Sequence, residues 1–317
     1  MNRPVGMPPA VRPDSPWPHR LACVTTIATL PLLFAGGLVT STGSGLAVPD
    51  WPTTFGHNMF LFPWSRMIGG IFYEHSHRLL GSLVGLLTVL LALALWRHER
   101  RSWVRWLGVV ALAAVIVQGV LGGLRVVLID HSLAIVHACF AHAFFVLLAV
   151  LTVVTSAKWT HEAGSKTAPD AGKVQRLSLL TTALIYGQLI LGAVVRHTGG
   201  WVELHLLGAV LVSVHVVVLS GQVRWHHADQ PVLKRSANLL LGLLVLQLLL
   251  GLGAYLGKFT ALGAALSPFV VALATSHVVV GALLLVTCAV LTLWAYRCLH
   301  QANQDVQPQL VSERVPV

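Results

Sequence analysis

Eight nearly unbroken hydrophobic stretches divide the chain, at roughly 21–40, 79–96, 103–124, 132–156, 177–195, 204–223, 237–256 and 268–296. They are continuous rather than alternating at every second position, which predicts helices and not the strands of a membrane barrel. Most approach the roughly 20 residues a helix needs to cross the hydrocarbon core. The second is short unless it begins near Tyr73, which would draw Glu74, His75, His77 and Arg78 of "YEHSHRLLG" into the membrane edge. The pattern predicts an all-α membrane protein with eight transmembrane helices.

Composition supports this. The chain is 56% hydrophobic and 10% charged, against about 25% charged in soluble domains, so its polar groups are too few to cover a globule. The net charge of +10 raises nucleic acid as a partner, but its distribution argues against one. Arg3, Arg12 and Arg20 precede the first span, and Arg97, Arg100, Arg101 and Arg105 follow the second. Lys158, Lys166, Lys173 and Arg176 follow the fourth, and Arg224, Lys234 and Arg235 the sixth. Arg297 and Arg314 close the chain, making sixteen basic residues on one side. The other side has five: Arg66, Arg78, Arg125, Arg196 and Lys258. The positive-inside rule then places both termini in the cytoplasm.

A cleaved signal peptide is the alternative reading of the first span. Its glycine-rich end runs straight into a patterned loop, and removing it would leave seven spans. No Arg- and Ser-rich amphipathic transit segment precedes it, which favours a bacterial inner membrane over an organelle. Cys23, Cys139, Cys288 and Cys298 lie outside the predicted outer loops and form no CxxC, so they read as small apolar fillers rather than a disulfide framework.

The spans also repeat. "QGVLGGLR" (118–125), "QLILGAVVR" (188–196) and "QLLLGLGAY" (247–255) place Q-x-x-L-G near the outer end of spans three, five and seven, and span one ends "AGGLVTSTGSG" (35–45). The even spans instead share a histidine in the outer half: His77, His137, His205 and His277. This reads as two similar four-helix halves, 21–156 and 177–296, related by a pseudo-two-fold along the membrane normal. A cytoplasmic linker at 157–176 joins them, and cytoplasmic tails cover 1–20 and 297–317.

A single histidine at a helix end is most often an interfacial polar residue. Four at matching repeat positions point to function, because ionisable groups in a membrane are costly. Zinc would want four ligands, or three and a water, and each half offers two good histidines. A di-iron carboxylate site would want two Glu-x-x-His motifs and two more glutamates, but only Glu74-x-x-His77 exists. Haem needs two axial ligands and an apolar pocket, which suits His77 with His137 and His205 with His277. Arg125 and Arg196 could pair with propionates or simply snorkel to the interface.

The halves differ three residues before each histidine, where Glu74, Ala134, Val202 and Ala274 stand. Glu74 and His77 share a helical face about 4.5 Å apart along the axis. That carboxylate could move or steer a proton at a haem edge, or form an ion pair with Arg78 at i+4; from chemistry both stay open. A carboxylate at this position in one half alone suggests that the first half does chemistry and the second holds a permanent cofactor.

From about Gly36 to Trp294 the chain resembles the haem A synthase family. The resemblance rests on "GGLVTSTGSGLAVPDWPTTFG" (36–56), "EHSHRLLGSLVG" (74–85), "QGVLGGLRV" (118–126), "VHACFAH" (136–142), "GQLILGAVVRHTG" (187–199), "ELHLLGA" (203–209) and "SHVVVGALLL" (276–285). It implies oxidation of a ring methyl of haem O to formyl through successive hydroxylations, for cytochrome oxidase assembly. It implies His77 and His137 as ligands of the substrate haem, His205 and His277 as ligands of a haem B cofactor, and Glu74 as the catalytic glutamate. Arg78, Arg125 and Arg196 become pocket or propionate residues. Implied partners are haem O, the farnesyltransferase supplying it, an electron acceptor and the lipid bilayer; a homo-oligomer is compatible with this. Many family members carry a cysteine pair in the first outer loop, whereas residues 41–72 contain none, which puts any thiol relay there in doubt. That Gly-, Pro- and Trp-rich loop reads as a lid over the haem mouth or as an ordinary interfacial loop. The different-class alternative is a di-haem b-type cytochrome with no chemistry on its haem.

The charge split is testable directly. A reporter active only outside the cytoplasm should work when fused near Phe55 and be silent near Lys166; the reverse pattern would overturn the orientation.

Overall fold

A computed structural model describes residues 15–161, 166–260 and 267–301. Arg3, Arg12 and Arg314 of the charge pattern lie outside them. Eight long helices are present: α1 (Trp17–Ser41), α2 (Gly70–His98), α3 (Ser102–Val127), α4 (His131–Val154), α6 (Ala171–Thr198), α7 (Val202–His226), α8 (Pro231–Phe259) and α9 (Ser267–Cys298). A short α5 (Ala157–His161) follows α4. All eight are long and apolar enough to span a membrane. The second reaches back to Gly70, so "EHSHR" is helical and lies in its first turns.

Helices α1–α4 enclose one apolar core, which includes Ala22, Val84, Leu91, Phe144 and Leu148. Helices α6–α9 enclose another, around Ile185, Val216, Leu240, Leu291 and Trp294. A small third cluster, Leu33 of α1, Phe145 of α4 and Ala282 of α9, joins them. Helix α9 packs on α8, α6, α1 and α4, and α4 also meets α6. Polar side chains stitch these contacts, as expected where lipid competes with apolar packing. Thr26 of α1 meets Thr152 of α4 at 2.9 Å, and Thr182 of α6 meets Thr292 of α9 at 3.0 Å.

The connections set the two faces. Three residues join α3 to α4 and three join α6 to α7. Each turn forces a bulky residue into the left-handed region, Ile129 at φ 52° and Trp201 at φ 64°. The α1–α2 connection is long and closes over the same face. On the opposite face the linker residues Lys166–Thr167 (β1) pair in parallel with Leu299–His300 (β2), tying the middle of the chain to the end of α9. All four cysteines are free thiols.

Candidate functional site

Four histidines line up near the loop face. Each ring rests on a glycine of the preceding long helix. A methyl at Gly36 would lie 2.9 Å from Cε1 of His77, one at Gly122 2.9 Å from His137, one at Gly192 3.1 Å from His205 and one at Gly251 2.8 Å from His277. A Cβ at these positions would push on the ring, so glycine sets how closely helix and histidine approach.

The glutamine of Q-x-x-L-G lies one turn before that glycine and binds the same histidine. The Gln118 amide donates to the His137 carbonyl at 3.0 Å, and that of Gln188 donates to the His205 carbonyl at 2.7 Å. His277 donates from Nδ1 to the Gln247 carbonyl at 3.1 Å. Gln188 and Gln247 pass over Gly208 and Gly281 of the facing helices. The motif, legible in the sequence only as a repeat, is thus a two-point seat for an imidazole. Span one has Leu32 in place of the glutamine and keeps the glycine.

The seats bring the histidines together in pairs. The rings of His77 and His137 are 6.4 Å apart between centroids and near perpendicular at 85°. Those of His205 and His277 are also 6.4 Å apart, at 76°. Two metal–nitrogen bonds of about 2.0–2.1 Å each fit within that separation. Nδ1 of His77 and of His137 are buried with no hydrogen-bond partner among the described residues. No cluster of three or more His, Cys, Asp or Glu side chains suited to a metal ion occurs among those residues either. The donor set is therefore two imidazoles per site, which suits a metal whose other ligands come from a macrocycle.

The polar residues around His77 do a different job. Glu74 and His75 are buried, at 4% and 1% exposure. Glu74 accepts from Arg78 at 2.8 Å and from the Val48 amide at 2.9 Å. Arg78 also donates to the carbonyls of Val48, Asp50 and Thr53. His75 meets the Thr54 hydroxyl at 3.2 Å and the Phe62 ring at 5.1 Å. The ion pair exists, and with His75 it latches the 48–54 loop onto α2 beside the first histidine pair. Arg125 holds the same loop through the Gly45 carbonyl, and the Trp51 indole lies against Gly123.

Arg196 acts between the two sets of helices. From α6 it donates to the Gly37 carbonyl and Ser41 hydroxyl of α1, and to the Ala274 carbonyl of α9 at 3.3 Å. Ser41 in turn meets Thr275 at 3.0 Å. The sequence leaves Arg125 and Arg196 between propionate pairing and snorkelling; the backbone contacts they make have no sequence signal. Among the remaining histidines, His142 is buried with Nδ1 on the Ala138 carbonyl, and His215 bonds the Leu211 carbonyl of its own helix; neither ring stands in either pair.

The fold and the paired imidazoles define a multi-pass helical membrane protein with two pairs of facing histidines. A family model described as cytochrome oxidase assembly protein (COX15-CtaA) matches residues 65–204. A protein named haem A synthase from Shouchella clausii is 30% identical over 239 residues, covering 72% of this chain and 74% of that protein. One so named from Oceanobacillus iheyensis is 28% identical over 283 residues, covering 78% and 87%. Another from Geobacillus kaustophilus is 26% identical, covering 67% and 74%. The chain belongs to the haem A synthase family.

Asp50 makes the latched loop sensitive to acid. Burial works to raise its pKa, but the Gly56 amide, the Thr53 hydroxyl and the Phe55 amide all bond its carboxylate and lower it from 3.8 to about 2. A depressed folded pKa stabilises the turn fully above the ordinary carboxylate value and loses that contribution as pH falls through about 2. Hydrogen-exchange protection factors at Phe55 and Gly56 should therefore hold at neutral pH, decline below pH 4 and be low at every pH in Asp50→Ala. Pronounced loss above pH 5 would show that another group controls the loop.

Proposed function

We propose that this chain makes haem A for cytochrome oxidase by oxidising a ring methyl of haem O to formyl through successive hydroxylations. The observation that carries the reading is the pair of facing-histidine sites with, among the described residues, a buried carboxylate beside only one of them, in a chain of this family. Haem O would sit between His77 and His137 in the half formed by residues 21–156. A haem B cofactor would sit between His205 and His277 in the half formed by 177–296, and it supplies one-electron redox chemistry when bound. The linker at 157–176 and the tails at 1–20 and 297–317 would be cytoplasmic, in a bacterial inner membrane. A farnesyltransferase would supply haem O, and a separate acceptor would take the electrons.

The residues of the chain then divide the work. Gly36 and Gly122 let His77 and His137 stand close to α1 and α3, and Gln118 fixes the backbone behind His137. Gly192 and Gly251 do the same for the other pair, Gln188 fixes the backbone behind His205, and the Gln247 carbonyl holds the His277 ring. Arg125 uses one nitrogen on Gly45, which leaves N–H donors for a propionate, while Arg78 and Arg196 shape the pocket rim through the backbone they hold. The 48–54 loop limits water at the first pair. Glu74 lies one turn from His77, where its carboxylate could hold or move a proton at the reacting substituent.

The two roles of Glu74 are of similar size. Breaking a buried ion pair costs about 3–5 kcal/mol. Losing a general acid or base costs about 10²–10⁴ in rate, which is also about 3–5 kcal/mol. Yield and turnover must therefore be read separately.

Two outcomes are expected. Replacing His205 or His277 by alanine should deplete haem B from purified protein; full retention with an unchanged low-spin spectrum in both variants would remove that ligand assignment. Glu74→Gln keeps the shape and removes the charge. It should insert normally and retain haem B, while haem O or a partly oxidised haem accumulates in place of haem A. Wild-type haem A per mole of folded Glu74→Gln protein, with reduced yield alone, would make Glu74 a latch and nothing more.

A further inference from the structure

A groove of about 460 Å³ runs between α7 and α8 near the linker face, lined by Val217, Val218, Gly221, Gln222, Arg224, Trp225 and Leu241. Its size falls in the range of ligand sites, roughly 300–1,000 Å³, and far exceeds one water. Gly221 opens its wall: the nearest atoms to a methyl there belong to the Trp225 indole, at 3.5 Å or more. Trp225 is 83% exposed.

The polar groups at the groove differ in what they already hold. Gln222 donates to Asp170 at 3.0 Å. Arg224 is exposed, with no hydrogen bond or ion pair among the described residues. The nearby acids are occupied: Asp170 accepts from Gln222 and His227, and Asp229 from Lys166 at 2.7 Å. Lys234 and Arg235, exposed in the first turns of α8, add positive potential at the same end. This guanidinium, unpaired among the described residues, lines a mostly apolar groove on the outside of the helices.

We propose that this groove binds one anionic phospholipid. An acyl chain lies along Val217, Val218 and Leu241 over Gly221, and the phosphate is held by Arg224. Apolar walls in a bilayer are filled by hydrocarbon, not water. A guanidinium fork matches phosphate oxygens, and indoles favour headgroup depth. Basic pockets between membrane helices suit anionic headgroups. A zwitterionic lipid would bring its own cation toward Arg224, Lys234 and Arg235, so the net-negative class fits. The site is independent of the histidine pairs and of the reaction.

The test uses full-length protein in phosphatidylcholine vesicles containing increasing amounts of dibrominated phosphatidylglycerol or, separately, dibrominated phosphatidylcholine. Bromine quenches tryptophan on contact, and subtracting the emission of Trp225→Phe isolates Trp225. Brominated phosphatidylglycerol should quench Trp225 at an about fivefold lower mole fraction than brominated phosphatidylcholine, the preference expected for one basic contact. Arg224→Gln should abolish that preference, and Gly221→Leu should fill the groove and remove the quenching by both lipids. Inorganic phosphate should leave the preference unchanged. Equal quenching by the two lipids, or a preference surviving in Arg224→Gln, would overturn the headgroup assignment. A preference erased by inorganic phosphate would make it a free-anion site. Absence of quenching by either lipid in the unmodified groove would mean that a second copy or another protein covers it, which also overturns the proposal.

Discussion

Everything at the loop face depends on an imidazole resting on a helix that has no side chain at the point of contact. A histidine in a membrane helix is costly to bury alone, and lipid offers it no hydrogen bond. Seating it against Gly36, Gly122, Gly192 or Gly251 brings it within reach of the neighbouring backbone. At three of the four seats a glutamine one turn earlier binds the same residue. The close approach fixes the position of each ring, and two fixed rings make a pair 6.4 Å apart. The same small residues that allow helices to pack therefore also set the spacing of the site.

The first pair has an additional constraint. Its helix begins under a loop of 28 residues, from Thr42 to Gly69, which must be held without a sheet or a disulfide. Glu74 and Arg78 hold it by bonding its backbone and His75 by meeting the Thr54 hydroxyl, so the residues closest in sequence to His77 serve the loop while His77 serves the site. This accounts for the polarity of "YEHSHR" within an apolar helix. Among the described residues it also places a buried carboxylate beside one pair alone, and a proton-handling role there would be an addition to the latch rather than a replacement for it.

The two sets of helices are joined by more than apolar contact. Arg196 spans α6, α1 and α9, reaching Gly37 next to the seat of His77 and Ala274 one turn from His277. A shift of α1 would disturb both pairs through this one guanidinium. The apolar contact of Leu33, Phe145 and Ala282 lies between the same sets.

The sequence by itself determined the eight helices, their approximate limits, the repeat and the four histidines. These depend on local properties: the length of apolar runs, the absence of a period of two, and residue types recurring at matched positions. It also left two open readings for Glu74, one of which, the ion pair with Arg78, is present. Only the tertiary structure decided that the repeated Gln and Gly seat the histidines, because those contacts join residues 13 to 41 positions apart on different helices. It likewise decided that Arg78, Arg125 and Arg196 bind main-chain carbonyls, a role that leaves no sequence signal because every residue carries the same acceptor. The short β1–β2 pairing has no sequence signal for the same reason: it depends on which backbone groups the helices bring within reach, and an apolar pattern records only which faces turn away from water.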